Sequence, residues 1–290
     1  MIRRLSFPQH LTRTSDRRPT KAAYALPTAF TAGNMFLGFI SVMKSFTGAI
    51  AVTAGSESFR GHFEVAALMI GLAVLLDGLD GRIARMTNTT SDFGREMDSM
   101  ADAVTFGVAP AVLAFAWGVF GVDTGGNAML HDHIQRVGYF VCFLFLLCGT
   151  ARLARFNITT NPVPKNPGRP DRKYFVGLPI PAAAGLVAAF VYGSDMQAIR
   201  SWPLTVAWIG LMGLLGFLMV STWRYRSFKD LNLLRPRSPI WVVFFGALIF
   251  VVWNYSQAVL LLLGVLYVGS GIVVRLGGLL NRSARARGTA

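Results

Sequence analysis

Four aspartates have the residue type and spacing expected of a metal-assisted reaction. Asp77 and Asp80 are three residues apart, and Asp98 and Asp102 are four residues apart. On a helix, each of these spacings puts the two side chains on one face. Both pairs fall at the ends of apolar segments, where an ionised group is costly and needs a functional reason. The pattern therefore indicates two helices that each present a pair of carboxylates.

The chemistry expected of such a cluster is phosphoryl transfer supported by divalent cations. Carboxylates that meet repel one another strongly unless cations lie between them. Oxygen-only ligands favour Mg²⁺ or Mn²⁺, and two ions balance four carboxylates better than one. Such ions are suited to holding a diphosphate and to stabilising charge on a transferring phosphoryl group.

Small and basic residues beside the aspartates suit contact with a nucleotide. Gly81, Ala84 and Gly94 would let a flat nucleotide approach the backbone closely, and small residues equally serve helix packing in membranes. Arg85 would reach a phosphate, or it would anchor the end of a span at the membrane surface. On the residues alone, both interpretations stay open.

The elements that must carry these residues are membrane-spanning helices. Of the 290 residues, 53% are hydrophobic and 14% are charged, which is too apolar for a soluble domain. One crossing takes about 20 apolar residues, and we find eight candidate segments. They are 28–47, 63–84, 101–122, 137–156, 175–193, 203–223, 240–254 and 257–276.

The sequence predicts an all-α integral membrane protein without a separate soluble domain. We expect six core spans and two more near the carboxyl terminus, of which the first is short. The predicted units are a basic arm over 1–27, a core over 28–229, a hairpin over 230–276 and a basic tail over 277–290. The short connection between spans two and three makes these spans antiparallel neighbours, so their acidic faces meet at one end.

The net charge of +14 fits membrane topology better than nucleic-acid binding. The basic residues lie at alternate ends of the spans and form no continuous stripe, so no nucleic-acid partner is expected. Of the 28 Lys and Arg residues, all but Lys44, Arg60, Arg136 and Arg200 lie at the amino terminus, in the last residues of an even-numbered span or in the segment that follows one. The positive-inside rule then places both termini and the acidic end of the bundle in the cytoplasm.

The pattern DxxDGxxAR, eight residues, then GxxxDxxxD resembles the signature of the CDP-alcohol phosphotransferase family, and every specified position matches. The resemblance implies an enzyme that uses two divalent ions and an incoming hydroxyl to displace CMP from a CDP-linked lipid. It makes Asp77, Asp80 and Asp98 metal ligands. It makes Asp102 a ligand that shares one of the two metals, and also the base that takes the proton from the hydroxyl. Asp98 and Asp102 are then expected to be the catalytic residues. The nucleotide is then expected against Gly81, Ala84 and Gly94, with Arg85 near a phosphate.

Flanking stretches resemble the phosphatidylserine synthase branch of that family. They lie at 26–39, 99–110, 151–157 and 175–185, and they include GNMFLGF, SMADAVTFGVAP, ARLARFN and FVGLPIPAAAG. This resemblance implies CDP-diacylglycerol and L-serine as substrates, phosphatidylserine and CMP as products, and a homodimer in a bacterial inner membrane.

The residues alone leave the choice of acceptor open. A serine carboxylate needs a basic partner, and Arg152 and Arg155 share a helical face at the cytoplasmic end of span four, with Asn157 just beyond. Glycerol 3-phosphate and inositol phosphate would bind to the same positive charges. Both arginines could equally serve only to fix the orientation of the span in the membrane. A divalent-cation carrier is the alternative from another class, since intramembrane acids often mark ion pathways.

Pro179 and Pro181 predict an opened backbone in span five. Unwound segments at membrane depth are tolerated chiefly where they are buried or line a cavity. We therefore expect a polar substrate cavity beside this span, and the alternative is a kink that serves packing alone.

Overall fold

Helices make up nearly all of the computed structural model, which describes residues 21–87, 92–159, 174–226, 246 and 254–287. The helical elements, in chain order, are α1 (Lys21–Thr53), α2 (Phe59–Thr87), α3 (Asp92–Asp102), a π-helical segment (Ala103–Val108), α4 (Ala109–Gly118), α5 (Ala128–Thr159), α6 (Ile180–Gly193), α7 (Trp202–Val220) and α8 (Ser256–Arg287). The predicted all-α class is confirmed.

Five helical segments among the described residues are long and apolar enough to cross a membrane. They are Ala29–Thr53, Phe59–Leu79, Phe93–Gly118, Ala128–Ile158 and Trp202–Val220. The segments Ile180–Gly193 and Ser256–Gly271 are apolar but shorter. The fold of an integral membrane protein is therefore confirmed. The number of eight spans stays a prediction, because nearly all of the predicted seventh span, 240–254, lies outside the described residues.

One side of α1 carries a row of exposed apolar side chains. Large apolar residues recur there every three or four positions, at Phe36, Phe39, Met43, Phe46 and Ile50. The buried face instead carries small polar residues, and the hydroxyl of Ser41 donates to the carbonyl oxygen of Ala66 on α2 at 2.9 Å. Polar hydroxyls that bond across helices are a usual means of packing in membranes. The site-bearing helix α2 is thus fixed against α1.

A pair of short strands joins the start of α6 to the end of α7. β1 (Tyr174–Val176) pairs antiparallel with β2 (Arg224–Arg226), with Phe175 opposite Tyr225. Gly177 follows β1 with a φ of 81°, and a Cβ atom there would collide with the carbonyl oxygen of Met219. Glycine is therefore required at this turn for both its conformation and its size. The sequence did not predict these strands, since residues 175 and 176 were placed in span five.

The two prolines of span five begin α6 and do not open it. Pro179 has an extended backbone, with φ −60° and ψ 136°, and it precedes the first helical residue, Ile180. Pro181 lies in the first turn, where the missing N–H has no partner to lose within the helix. The prolines thus mark the start of a helix that is five residues shorter than the predicted span, whose first residues are not helical. The polar cavity expected beside this span stays a prediction.

Candidate metal and substrate site

Three of the four predicted carboxylates lie together. Each of Asp77, Asp98 and Asp102 offers a carboxylate oxygen, and these three oxygens lie within 4.8 Å of one another. Carboxylates at this spacing repel one another, and a divalent cation among them removes that cost. An oxygen-only donor set fits Mg²⁺ or Mn²⁺ better than the softer transition metals.

The cluster forms because α2 ends and α3 begins at the same end of the bundle. Asp77 lies ten residues before the end of α2, and the next helix starts at Asp92, after a connection too short for anything but an antiparallel return. Asp98 and Asp102 are one turn apart on α3 and therefore share a face. The predicted third span began at residue 101, whereas the helix begins at Asp92, so both carboxylates lie on the helix itself.

A π-helical segment, Ala103–Val108, follows Asp102 directly. Within it the buried Thr105 donates its hydroxyl to the carbonyl oxygen of Asn34 on α1 at 3.1 Å. Gly38, one turn along α1 from Asn34, allows this approach: a Cβ atom at Gly38 would lie 2.8 Å from the Cα atom of Thr105. π-Helical turns are frequent at functional sites because they shift the helix face that follows. Here the segment fixes the Asp102 end of α3 against α1.

Replacing Gly38 by alanine should lower stability by about 1–3 kcal/mol, because the new methyl group meets backbone that cannot move aside. Thermal unfolding of the detergent-solubilised protein measures this loss. Gly33→Ala is the matched control on the same helix, because a Cβ atom at Gly33 has no neighbour within 4 Å among the described residues. An equal melting temperature for the two variants would contradict the close contact between α1 and the π-helical segment.

The other residues of the signature lie on the same two helices. α2 contains Asp80, Gly81, Ala84 and Arg85, whose side chains lie outside the described part of the structure. Gly94 lies in the first turn of α3, and it is partly buried. The metal role of Asp80 and the nucleotide roles of the other four residues therefore stay predictions.

The last turns of α5 bring the predicted acceptor residues to the acidic cluster. The side-chain amide of Asn157 donates to the hydroxyl of Ser99 at 2.7 Å, and Ser99 follows Asp98 directly. The Ser99 hydroxyl in turn donates to the carbonyl oxygen of Arg95 at 3.0 Å, one turn back on α3. This chain of hydrogen bonds holds the end of α5 beside the carboxylate-bearing face of α3.

Arg152 is a second predicted acceptor residue on α5. Its side chain is partly buried, and it lies within electrostatic range of Tyr267, Arg155 and Asp102. The Nε atom is fully buried and has no hydrogen-bond partner among the described residues. Arg155, one turn further along α5, is exposed. Of the two arginines, Arg152 thus lies within electrostatic range of the carboxylate cluster.

Two residues near this site were not predicted. Ser99 lies within the stretch 99–110 that resembles the phosphatidylserine synthase branch, and its position between Asp98 and Asp102 was the signal in the sequence. Tyr267 comes from α8, far along the chain and inside an apolar span, so nothing in the sequence pointed to it. Only the packing of helices brings Tyr267 near Arg152.

Known proteins resemble this chain over most of its length. A family model described as CDP-alcohol phosphatidyltransferase matches residues 24–222. A CDP-diacylglycerol–serine O-phosphatidyltransferase of Helicobacter pylori strain J99 is 38% identical over 214 residues, which cover 74% of this chain and 77% of the relative. A protein of the same name from Bacillus subtilis strain 168 is 31% identical over 70% of this chain and 91% of its own length.

A third relative provides a similar match over a shorter region. The CDP-diacylglycerol–serine O-phosphatidyltransferase of Saccharomyces cerevisiae is 39% identical over 161 residues, or 55% of this chain and 50% of the relative. The family match covers more than half of the chain and contains α2, α3 and most of the residues that line the site. This membrane protein therefore belongs to the CDP-alcohol phosphatidyltransferase family.

Proposed function

We propose that this enzyme transfers the phosphatidyl group of CDP-diacylglycerol to the hydroxyl of L-serine, giving phosphatidylserine and CMP. The observation that carries the proposal is the group formed by Asp77, Asp98 and Asp102. It lies within the family match, and curated relatives over most of the chain carry the name of this activity.

Two divalent ions, Mg²⁺ or Mn²⁺, are part of the proposal. Asp77, Asp80, Asp98 and Asp102 would hold them, and the three described carboxylates fit such ions in donor type and spacing. When bound, the ions neutralise the diphosphate of the lipid substrate and stabilise charge on the transferring group.

The proposed reaction exchanges one phosphorus–oxygen bond for another. The serine hydroxyl oxygen forms a bond to the phosphorus that carries diacylglycerol, and the bond from that phosphorus to CMP breaks. Asp102 takes the hydroxyl proton, and CMP leaves with the electron pair of the broken bond. Asp102 is buried beside the other carboxylates and within electrostatic range of Arg152, so a base there could meet an acceptor held by that arginine.

Positioning of the two substrates supplies much of the rate enhancement in this scheme. Arg152 and Arg155 would bind the serine carboxylate, and Asn157 would complete the pocket from its bond to Ser99. The same two arginines would also bind a phosphate-bearing alcohol, so glycerol 3-phosphate and inositol phosphate are the alternative acceptors.

The nucleotide part of CDP-diacylglycerol is proposed to lie along α2 and the start of α3. Gly81, Ala84 and Gly94 would leave room for the cytidine, and Arg85 would meet a phosphate. The acyl chains would stay in the lipid beside the bundle, since apolar side chains cover its outer faces. The lipid substrate then reaches the carboxylates sideways from the membrane.

We also propose how the protein is oriented in the membrane and how it assembles. The distribution of Lys and Arg supports a site and termini that face the cytoplasm, in a bacterial inner membrane. Labelling of single cysteines introduced at exposed loop positions, with a reagent that does not cross membranes, tests this orientation. The resemblance to the family supports a homodimer, and native mass spectrometry of the detergent-solubilised protein tests the dimer.

An acceptor competition tests which alcohol the enzyme uses. The purified protein receives CDP-diacylglycerol with equal concentrations of L-serine, glycerol 3-phosphate and inositol phosphate, and mass spectrometry identifies the product lipid. We expect phosphatidylserine as the main product. A main product with either phosphate-bearing alcohol would keep the chemistry of the carboxylates and contradict the assignment of serine.

A further inference from the structure

Two contacts join α5 to the line formed by α3 and the π-helical segment. Near the middle of α5, a methyl carbon of Leu146 lies where a Cβ atom at Gly107 would be only 2.7 Å away. At the end of α5, the side-chain amide of Asn157 donates to the hydroxyl of Ser99 at 2.7 Å. Residue numbers rise along α5 as they fall along its partner, so the two run antiparallel. The last turn of α5 therefore lies at the level of the carboxylates.

Ser99 lies on the side of the carboxylate face of α3 that is nearer to Asp102. With about 3.6 residues per turn, Ser99 is rotated by about 100° from Asp98 around the helix axis but by only about 60° from Asp102. Ser99 is partly buried there. The last turn of α5 is therefore joined to α3 on the side of Asp102, the proposed base. An alcohol held by the end of α5 would approach the carboxylates from that side.

The hydroxyl of Ser99 acts as an acceptor towards α5. A serine hydroxyl has one hydrogen to donate and two lone pairs that can accept. The hydrogen is donated to the carbonyl oxygen of Arg95 at 3.0 Å, one turn back on α3, so the oxygen receives the hydrogen bond from Asn157. This bond fixes the amide of Asn157 with its nitrogen towards α3. It thereby also restricts the rotamers of Asn157 before any substrate binds.

We propose that Ser99 is a positioning residue for the acceptor: its hydrogen bond to Asn157 holds the last turn of α5 at a fixed distance from the carboxylates of α3. The inference rests on the proposed function, because it concerns the alcohol that the end of α5 would bind. Transfer requires the alcohol oxygen within hydrogen-bond reach of the base. If the end of α5 is displaced from α3, the alcohol binds less well in that position.

The test compares Ser99→Ala with the unchanged enzyme. We expect the KM for serine to rise about three- to tenfold, which is the usual effect of losing one hydrogen bond between neutral groups. The KM for CDP-diacylglycerol and the affinity for Mn²⁺ should change less than about twofold, because the carboxylates stay in place. Ser99→Thr keeps a hydroxyl and should restore the KM for serine. An unchanged KM for serine in Ser99→Ala, equal rises of both KM values, or no recovery in Ser99→Thr would overturn the proposal.

Ser45→Ala is the matched control, because it removes the same hydroxyl group from another helix. The hydroxyl of the buried Ser45 donates to the carbonyl oxygen of Ser41, one turn back on α1, at 2.8 Å. Ser45 lies one turn before Gly48, which packs against Phe63 at the end of α2 remote from the carboxylates. This variant should keep the KM for serine unchanged. A rise as large as that in Ser99→Ala would show a general effect of lost helix hydroxyls and would overturn the proposal.

A double-mutant cycle tests whether Ser99 acts through Asn157. Asn157→Ala removes the other partner of the hydrogen bond, so adding Ser99→Ala should then raise the KM for serine little further. Additive rises would mean that Ser99 acts independently of α5, which contradicts the proposal.

Hydrogen exchange tests the link between α5 and α3 without turnover. Backbone amides of residues 153–159, at the end of α5, should exchange faster in Ser99→Ala than in the unchanged protein or in Ser45→Ala. Equal exchange would overturn the inference, whichever alcohol the enzyme uses. If the unchanged enzyme uses another alcohol, the assignment of serine is wrong and the KM comparison is made with that alcohol. If no alcohol supports CMP release, the proposed function is wrong and so is the positioning role, even where exchange shows the link.

Discussion

Replacing Asp98 by asparagine should lower CMP release about a thousandfold or more while the protein stays folded. Asp98 is one of three carboxylates whose oxygens lie within 4.8 Å, and asparagine keeps its shape but removes the charge that binds a divalent ion. Turnover with saturating CDP-diacylglycerol and serine measures the loss. Titration calorimetry with Mn²⁺ should show weaker metal binding in the same variant.

The fold of the Asp98→Asn variant is checked by its thermal unfolding without metal. Removing one of three clustered negative charges relieves repulsion, so the melting temperature without metal should stay equal or rise. Asp132→Asn is the matched control, because Asp132 is an exposed aspartate in the first turns of α5, at the opposite end of that helix from Arg152. Normal turnover in Asp98→Asn, or an equal loss in Asp132→Asn, would contradict the proposed role of Asp98.

Replacing Asp102 by asparagine should leave CDP-diacylglycerol binding nearly intact and lower kcat by about a hundredfold to ten-thousandfold. These limits are the usual range for removal of a general base. Asp102 is buried at the junction of α3 and the π-helical segment, beside Arg152, and we propose that it takes the serine proton. Equilibrium binding of radiolabelled CDP-diacylglycerol, measured without serine, separates binding from transfer.

The comparison of Asp102→Asn with Asp98→Asn distinguishes the two roles. A metal ligand should affect Mn²⁺ binding strongly, whereas a base that only shares one metal should affect it less. If Asp102→Asn loses both Mn²⁺ and CDP-diacylglycerol binding to the same degree as Asp98→Asn, the main role of Asp102 is to hold metal. The assignment of Asp102 as the base would then be wrong.

The positions of the spans and of the carboxylates were predictable because both depend on local sequence periodicity. Apolar runs identified the helices that became α1, α2, α5 and α7, and the spacing of Asp98 and Asp102 placed them on one face. The bounds were less accurate at the site. There α3 begins at Asp92, because polar residues at the membrane surface continue the helix without an apolar signal.

The features that the sequence did not predict depend on contacts between distant parts of the chain. The π-helical segment is stabilised where Thr105 meets Asn34, and the strand pair requires Phe175 and Tyr225 to come together. Tyr267 is one aromatic residue among many in apolar spans until helix packing brings it near Arg152. Local patterns contain no information on such pairings, so these features had to come from the three-dimensional structure.

The most direct test of metal-dependent phosphatidyl transfer to serine is CMP release by the detergent-purified protein from CDP-diacylglycerol. The arms contain Mg²⁺, Mn²⁺ or EDTA, each with L-serine or without any acceptor, and phosphatidylserine is measured in the same samples. We predict CMP release that requires both serine and a divalent ion and is matched one to one by phosphatidylserine. Release that persists in EDTA, or metal-dependent release without phosphatidylserine, would contradict the account. No release in any arm would contradict serine as the acceptor and leave a phosphate-bearing alcohol or cation transport as the alternatives.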